Sequence, residues 1–181
     1  MRFTVNKLQV RKGGVLKTDH LDLRHFSVSD AEFILSLLND PSFIRFIGDK
    51  NVRTTDDARQ YIQSGPVASY EKQGFGLYLV QLRGTKTPIG MCGLLKRDAL
   101  EHPDIGFAFL PDYRRQGYAS ESVKAVLSLA KKIFTMPRIL AITNPDNHSS
   151  IKLLEKMGFN FERIIKLPDT NEQVKLFEIQ L

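Results

Sequence analysis

The sequence predicts a mixed α/β (α+β) protein: one domain, with a mixed, mostly antiparallel central sheet of about six to seven strands and helices on both faces. The spacing of apolar residues along the chain predicts strands and helices in the order β-α-α-β-β-β-α-β-α-β-β. The 181 residues suit one domain, since typical domains hold roughly 100 to 200 residues. Hydrophobic residues make up 42% and charged residues 25%, the proportions of an ordinary globular protein.

The first predicted elements are a strand and two helices. Apolar and polar residues alternate over 20–26, which predicts the strand. Residues 29–32, Ser-Asp-Ala-Glu, have the pattern of a capping box, and apolar residues recur behind them at helical spacing. Pro41 predicts the end of this helix because it disfavours helical backbone at its predecessor. A loop over 42–53 is expected next, and residues 54–57 offer the cap of a second helix.

Three strand-like runs follow in the middle of the chain. Runs 77–83 and 88–95 flank a short loop that contains glycine, which predicts a hairpin. Run 104–110 is apolar or small on both faces, as expected for a strand covered on both sides. Gly74 and Gly76 could begin a dinucleotide-binding fingerprint, but its third glycine is missing and no helix pattern follows. Dinucleotide binding is therefore not predicted.

The second half continues with a helix over 119–134, which has one apolar stripe, and a strand over 139–143. Asp146 or Asn147 is expected to cap the last helix, which Gly158 ends in the left-handed conformation.

The chain closes with two strand-like runs, 159–167 and 174–181, that predict a hairpin. Residues 1–17 match no useful pattern and are assigned to an N-terminal extension, and 18–181 are assigned to the folded domain.

Charge and cysteine content restrict the function. The 26 Lys and Arg against 20 Asp and Glu give a net charge of +6, which favours anionic partners. The basic residues are scattered and Trp is absent, so direct nucleic-acid binding is not predicted. The single cysteine, Cys92, excludes an internal disulfide and is expected to be buried. Histidine spacing predicts no metal site, and the lack of a long apolar segment or signal peptide predicts a cytoplasmic protein without membrane contact.

A turn directly before the central helix predicts a phosphate-binding cradle. Such a turn presents successive backbone N–H groups, its glycine allows close approach of a bulky anion, and the helix start adds the positive end of its dipole. The cradle residues are Arg114, Arg115, Gln116, Gly117, Tyr118 and Ala119.

Residues 114–119 fit the pattern [Gln/Arg]-x-x-Gly-x-[Gly/Ala] and resemble the signature of the Gcn5-related N-acetyltransferase (GNAT) superfamily. Residues 147–159 resemble its Asn-x-x-Ser and Glu-Lys-x-Gly-Phe element, and residues 18–30 resemble the N-terminal strand and helix of its ribosomal-protein N-acetyltransferase branch. The resemblance implies the GNAT fold, acetyl-CoA (coenzyme A) as co-substrate, and a pyrophosphate held by the cradle.

The resemblance also implies where the rest of acetyl-CoA binds. The strand over 104–110 parts from the strand over 139–143, and the pantetheine arm enters the gap as an additional strand would. Asn147 contacts the cofactor. The implied pantetheine contacts are the backbone groups of Phe107, Ala108, Phe109 and Leu110.

The implied chemistry needs a base, because a primary amine with a pKa of about 10.4 is protonated at neutral pH. Asp104 lies where the branch has Glu and is the first candidate, and Glu101 is the second. Asp104 is a shorter acid, and Phe107 occupies a Tyr position of the branch. Ser150 matches the Ser near the cofactor sulfur and would donate to the leaving thiolate. Each of these residues also has a purely structural interpretation, as a turn carboxylate or as part of a helix start.

The resemblance therefore implies an acetyltransferase that transfers the acetyl group directly to a primary amine, with a ribosomal-protein or other peptide N-terminus as the favoured acceptor. Acetylation of a small amine, such as an amino acid, polyamine or antibiotic, is the alternative within enzymes. A coenzyme A sensor without turnover is the alternative outside them. A monomer or a homodimer is expected.

Overall fold

The computed structural model describes residues 16–168 and 170–181, and these form one sheet with helices on both faces. The strands are β1 (Leu16–Lys17), β2 (Leu21–Arg24), β3 (Leu77–Leu82), β4 (Pro88–Leu95), β5 (Asp104–Phe109), β6 (Arg138–Thr143), β7 (Asn160–Lys166) and β8 (Gln173–Gln180). The helices are α1 (Ala31–Leu38), α2 (Pro41–Ile47), α3 (Thr55–Ile62), α4 (Ala68–Gln73), α5 (Tyr118–Lys132) and α6 (His148–Lys156). Among the described residues, no helix is both long and apolar enough to cross a membrane.

The eight strands follow the order β1-β2-β3-β4-β5-β6-β8-β7. Strands β5 and β6 are parallel, and every other neighbouring pair is antiparallel. The predicted mixed sheet and both predicted hairpins are therefore confirmed. The sheet has one strand more than predicted. This strand is β1, in which Leu16 is buried. The sheet thus includes two residues that the sequence analysis assigned to the N-terminal extension, and residues 1–15 lie outside the described residues.

Two large apolar cores cover the two faces of the sheet, and a small third cluster of Leu100, Leu140 and Leu176 lies beside β6 and β8. Helices α5 and α6 pack on one face, here called the α5 face, through residues such as Val126 and Leu154. Helices α1, α2 and α3 pack on the opposite face, here called the α1 face, through residues such as Leu37 and Ile62. Successive residues of a strand point to opposite faces, so Phe109 contributes to the first core and Ala108 to the second.

The capping box ahead of α1 lies two residues before the predicted position. A 3₁₀ turn precedes the helix, so the capping box is formed by Ser27 and Asp30 and not by residues 29–32. The Ser27 N–H donates to Asp30 Oδ2 at 2.9 Å. The prediction of a capping box at 29–32 was wrong because the spacing of the apolar residues does not reveal the additional 3₁₀ turn before the helix.

The predicted loop after Pro41 is also wrong, since helix α2 occupies its first half. The Asp40 carboxylate caps this helix by accepting from the N–H groups of Ser42 and Phe43, both at 3.1 Å. Pro41 stands at the first helical position, where a missing N–H leaves no hydrogen bond unmade. The same proline therefore ends α1 and begins α2.

Strands β5 and β6 diverge after a single position of pairing. Asp104 lies opposite Leu140, whose N–H donates to the Pro103 carbonyl at 2.9 Å. Towards Phe109 and Thr143, the part of the chain that the structure describes has no further pairing between these strands. The divergence leaves a gap in the sheet.

Candidate active site

A cavity of about 530 Å³ lies at this gap and extends through the sheet. Phe107 and Phe109 line it from the α5 face, and Ala108 lines it from the α1 face. Its further walls are the cradle, the start of α6, and an apolar wall from α1 and α2 that includes Phe43 and Phe46. The cavity therefore connects the two faces at one point.

The cradle residues present free backbone donors to this cavity. In α5 the first intrahelical bond at the N-terminus runs from the Glu121 N–H to the Gly117 carbonyl at 3.0 Å. Within residues 16–168 and 170–181, the backbone N–H groups of 115–120 have no hydrogen-bond acceptor. The helix dipole adds a partial positive charge at the same place. This arrangement suits a bulky anion such as a diphosphate.

The backbone of the cradle depends on two residues with positive φ. Gly117 is the N-cap of α5 with φ 88°, and Arg115 has φ 61°. When a turn alternates between right-handed and left-handed backbone conformations, its successive N–H groups point towards one side and form an anion-binding concavity. The Arg115 side chain is exposed and makes no ion pair within the described residues, so its charge faces the open cavity.

Arg114, the first position of the cradle, holds the surrounding elements together. Its Nε donates to the Phe109 carbonyl at 2.8 Å, and its two Nη atoms donate to Ser42 Oγ at 3.1 Å and Asp40 Oδ1 at 2.5 Å. Its main-chain N–H donates to the Pro111 carbonyl. The side chain thus connects the end of β5, the start of α2 and the cradle. A phosphate contact of Arg114 stays a prediction.

Replacement of Asp40 by alanine is expected to lower the free energy of unfolding by about 2 kcal/mol, because the cap of α2 and the bond to Arg114 are lost together. Urea denaturation measures the change. Asp56→Ala is the matched control, since the Asp56 side chain is 87% exposed in its ion pair with Arg59 and is expected to change stability by less than about 0.5 kcal/mol. Equal effects of the two replacements would contradict the bridging role of Arg114.

The backbone of β5 offers alternate groups to the gap. The Leu110 N–H donates to the Ile89 carbonyl at 2.9 Å, so the main-chain groups of Leu110 and Ala108 point towards β4. Those of Phe107 and Phe109 point into the gap. Since the Phe109 carbonyl accepts from Arg114, the Phe107 N–H and carbonyl and the Phe109 N–H are left for a strand-like ligand.

The start of α6 brings Asn147 and Ser150 to the cavity. Asn147 caps the helix, because its Oδ1 accepts from the Ser150 N–H at 3.1 Å. The Ser150 side chain is half-buried, and its hydroxyl has no hydrogen-bond partner in the described chain. The predicted structural role of Asn147 is confirmed, and the Ser150 hydroxyl remains available to a ligand.

The two candidate bases lie outside the wall of the 530 Å³ cavity. Asp104 is 1% exposed and its two carboxylate oxygens accept from Arg97 Nε, each at 3.1 Å. Burial raises the pKa of Asp104, and the Arg97 charge opposes that rise. Glu101 is exposed and lines a second cavity of about 490 Å³ on the α1 face, beside β6 and β8.

Most of the predicted cofactor residues meet at the first cavity. Those that line it are Phe107, Ala108, Phe109, Arg114, Arg115, Gly117, Ala119, Asn147 and Ser150. Leu110, Gln116 and Tyr118 are not part of its wall, and the Gln116 amide donates to the Asp112 carbonyl at 2.6 Å.

Helix α2 and the part of the cavity wall that it supplies were not predicted. An Asp followed by Pro at a helix start is a recognisable signal, and Asp40-Pro41 carries it.

Cys92 is fully buried. Burial raises the pKa of the Cys92 thiol to about 12, so it stays protonated and is a poor nucleophile. No group of three or more His, Cys, Asp or Glu residues in the described chain could hold a metal ion.

The sequence and the fold both match known proteins. Residues 20–160 match the family model described as an acetyltransferase (GNAT) domain. The chain is 32% identical over 154 residues to the protein named Uncharacterized N-acetyltransferase YoaA of Bacillus subtilis (strain 168), and the match covers 84% of this chain and 86% of YoaA.

Solved structures with the same fold include a GNAT-family acetyltransferase from Bacillus anthracis, with a TM-score of 0.77 and 27% identity over 92% of this chain and 98% of that chain. RimL, a ribosomal L7/L12 alpha-N-protein acetyltransferase, has a TM-score of 0.79 with 15% identity over 96% and 97% of the two chains. MccE, a microcin C7 self-immunity acetyltransferase in complex with acetyl-CoA and AMP, has a TM-score of 0.77 with 14% identity over 91% and 94%. At these low identities the last two likenesses show the fold alone.

Proposed function

This chain belongs to the GNAT acetyltransferase family, and from that premise we propose that it is an acetyl-CoA-dependent N-acetyltransferase that transfers the acetyl group directly to a primary amine, with a protein N-terminus as the favoured acceptor. The observation that carries the proposal is the run of unpaired backbone N–H groups at 115–120, at one end of a cavity that passes through the sheet.

The residues of the gap suit the three parts of acetyl-CoA. The N–H groups of 115–120 and the Arg115 charge would bind the pyrophosphate. The free main-chain groups of Phe107 and Phe109 would pair with the pantetheine amides as an added strand does. Because the cradle lies on the side of α5 and the cavity continues to the α1 face, the acceptor amine would arrive from the α1 face.

The reaction forms a bond between the amine nitrogen and the acetyl carbon and breaks the bond between that carbon and sulfur. The Phe107 N–H points into the gap and would stabilise the oxyanion, an effect of roughly 3 to 4 kcal/mol in comparable acyl transfers. Asp104 would take the amine proton through water, and a raised pKa makes its carboxylate a better base. The Ser150 hydroxyl would donate a hydrogen bond to the departing thiolate.

Replacement of Ser150 by alanine is expected to lower kcat roughly tenfold and to leave the affinity for acetyl-CoA nearly unchanged, since one hydrogen bond to the leaving group is lost. The cap of α6 persists because Asn147 binds the main-chain N–H of residue 150. Steady-state kinetics and calorimetric titration separate the two effects. Ser149→Ala, an exposed neighbour in the same cavity wall, is the control and is expected to change kcat little. Equal losses in both variants would contradict the role of the hydroxyl.

An extended acceptor fits the α1 face better than a small polyamine. The second cavity continues this face beside β6 and β8, next to the position where Asp104 pairs with Leu140. Its floor includes Leu100 and Leu176, and its rim carries charges of both signs. A polypeptide can use such a surface, whereas a small cation would favour a deep acidic pocket. The likeness to the fold of RimL is consistent with this choice of acceptor.

Release of free thiol from acetyl-CoA in the presence of an amine library tests the proposal. Saturable release with peptides, and mass-spectrometric detection of an acetyl group at their N-terminus, would support it. Turnover with small amines alone would favour the alternative acceptor. Tight binding of acetyl-CoA with no turnover across the library would favour a coenzyme A sensor.

A further inference from the structure

Arg97 presents an unused part of its guanidinium to the α1 face. Only its Nε binds Asp104, at 3.1 Å to each carboxylate oxygen, and this contact fixes the direction of the side chain. Its two terminal nitrogens make no hydrogen bond within residues 16–168 and 170–181, and the side chain is 41% exposed. A guanidinium that is held at Nε and open at both Nη atoms is suited to a carboxylate, which it can bind through two parallel hydrogen bonds.

A second cation lies near Arg97. Lys50, in the loop between α2 and α3, is exposed and forms no ion pair in the described chain. Desolvation lowers the pKa of Lys50 first and the positive charge of Arg97 lowers it further, while Glu172 of the loop between β7 and β8 acts in the opposite direction. Arg97, Lys50 and Glu172 lie on three different loops and are close enough for their charges to interact. Asp104 already neutralises part of the charge of Arg97, so the open terminal nitrogens of Arg97 would bind a carboxylate, and the charge of Lys50 would add to the attraction.

The position of Arg97 relative to the reaction gap sets the length of the ligand. Asp104 and Phe107 are three residues apart on β5, which is roughly 10 Å along the strand. Gly106 lies between them on the α1 face, and the Leu95 side chain fills the space above it, so a peptide would pass over Leu95. An extended polypeptide advances roughly 3.3 Å per residue. A peptide whose N-terminal nitrogen reaches the gap would therefore bring about its third residue to Arg97.

We propose that Arg97 and Lys50 form an acceptor subsite for a carboxylate, so that this enzyme prefers polypeptide N-termini with an acidic residue at about the third position. The inference rests on the proposed N-acetyltransferase function and names its substrate class. The same chemistry could be supplied by the carboxylate of a free amino acid, and the experiment separates the two sources.

The test uses hexapeptides that differ only in carrying Glu, Gln or Lys at position two, three or four, together with free glutamate and glutamine. We expect kcat/KM for the Glu peptide to exceed that for the Lys peptide by about tenfold at low ionic strength, and the ratio to shrink in high salt. Equal values for the three peptides at all positions would overturn the subsite and leave the acetyltransferase proposal standing. No thiol release with any amine would instead overturn the proposed function.

Two variants connect this preference to the named residues. Lys50→Glu is expected to abolish the preference for the acidic peptide, mainly through KM. Arg97→Lys keeps a cation beside Asp104 but removes the paired donors of the guanidinium. The preference for the Glu peptide should therefore fall several-fold, and kcat/KM for the Gln peptide should change less. Lys124→Glu is the matched control, since Lys124 is an exposed residue of α5 on the opposite side of the sheet. A preference that survives both changes would overturn the assignment. Acetylation of free glutamate over glutamine, without peptide products, would retain the subsite and exclude the peptide acceptor.

Discussion

Replacement of Gly117 by valine is expected to weaken acetyl-CoA binding by about a hundredfold or more while the fold persists. Gly117 has φ 88°, a conformation that β-branched residues rarely adopt, and a Cβ placed there meets no atom within 4 Å. The new side chain would therefore project into the open cavity, where the cradle would bind a pyrophosphate. The loss of two charge-assisted hydrogen bonds, each about 1.5 to 3 kcal/mol, accounts for the expected factor.

Gly74→Val is the matched control for this experiment. Gly74 ends α4 with φ 77°, and an added Cβ also has no neighbour within 4 Å, but the residue does not line the cavity. Both variants should lose a similar amount of thermal stability, because the backbone strain is similar. Isothermal titration with acetyl-CoA should show a large loss for Gly117→Val alone. Wild-type affinity in that variant would refute the assignment of the cradle.

Replacement of Asp104 by asparagine is expected to lower kcat/KM by about 10² to 10⁴, the range for loss of a general base. The pKa of Asp104 is raised by burial, against the opposing charge of Arg97. A base with a raised pKa becomes protonated at a higher pH than an ordinary Asp. The acid limb of the wild-type profile of kcat/KM against pH should therefore lie above the usual Asp range, and it should disappear in the variant.

Glu101→Gln provides the comparison for Asp104. Glu101 is an exposed carboxylate three residues earlier in the chain, so its replacement should change kcat/KM little and leave the acid limb in place. A larger loss in Glu101→Gln than in Asp104→Asn would transfer the role of base to Glu101. Retention of the acid limb in both variants would remove the carboxylates from the proposed mechanism.

Much of the fold follows from local signals in the chain. The apolar stripe of α5 and the left-handed conformation of Gly158 each depend on residues close in sequence, and the structure has both as predicted. The cap of α3 by Thr54 is also local, since its Oγ1 accepts from the Asp57 N–H at 3.1 Å. Helix α2 was missed because Pro41 was interpreted only as the end of α1, although its Asp40 cap is equally local.

The sequence by itself determined the strand, turn and helix that form the cradle, and it restricted the cap of α6 to Asp146 or Asn147, because backbone conformation and apolar spacing depend on near neighbours. Tertiary structure alone decided that β5 and β6 part after Asp104, that Arg114 binds Asp40 and Ser42, and that Arg97 holds a buried carboxylate while leaving two nitrogens free. The Arg114 contacts join residues more than 70 positions apart. The free energy of such contacts depends on burial and on the partner that the fold supplies, and neither quantity is contained in a local pattern.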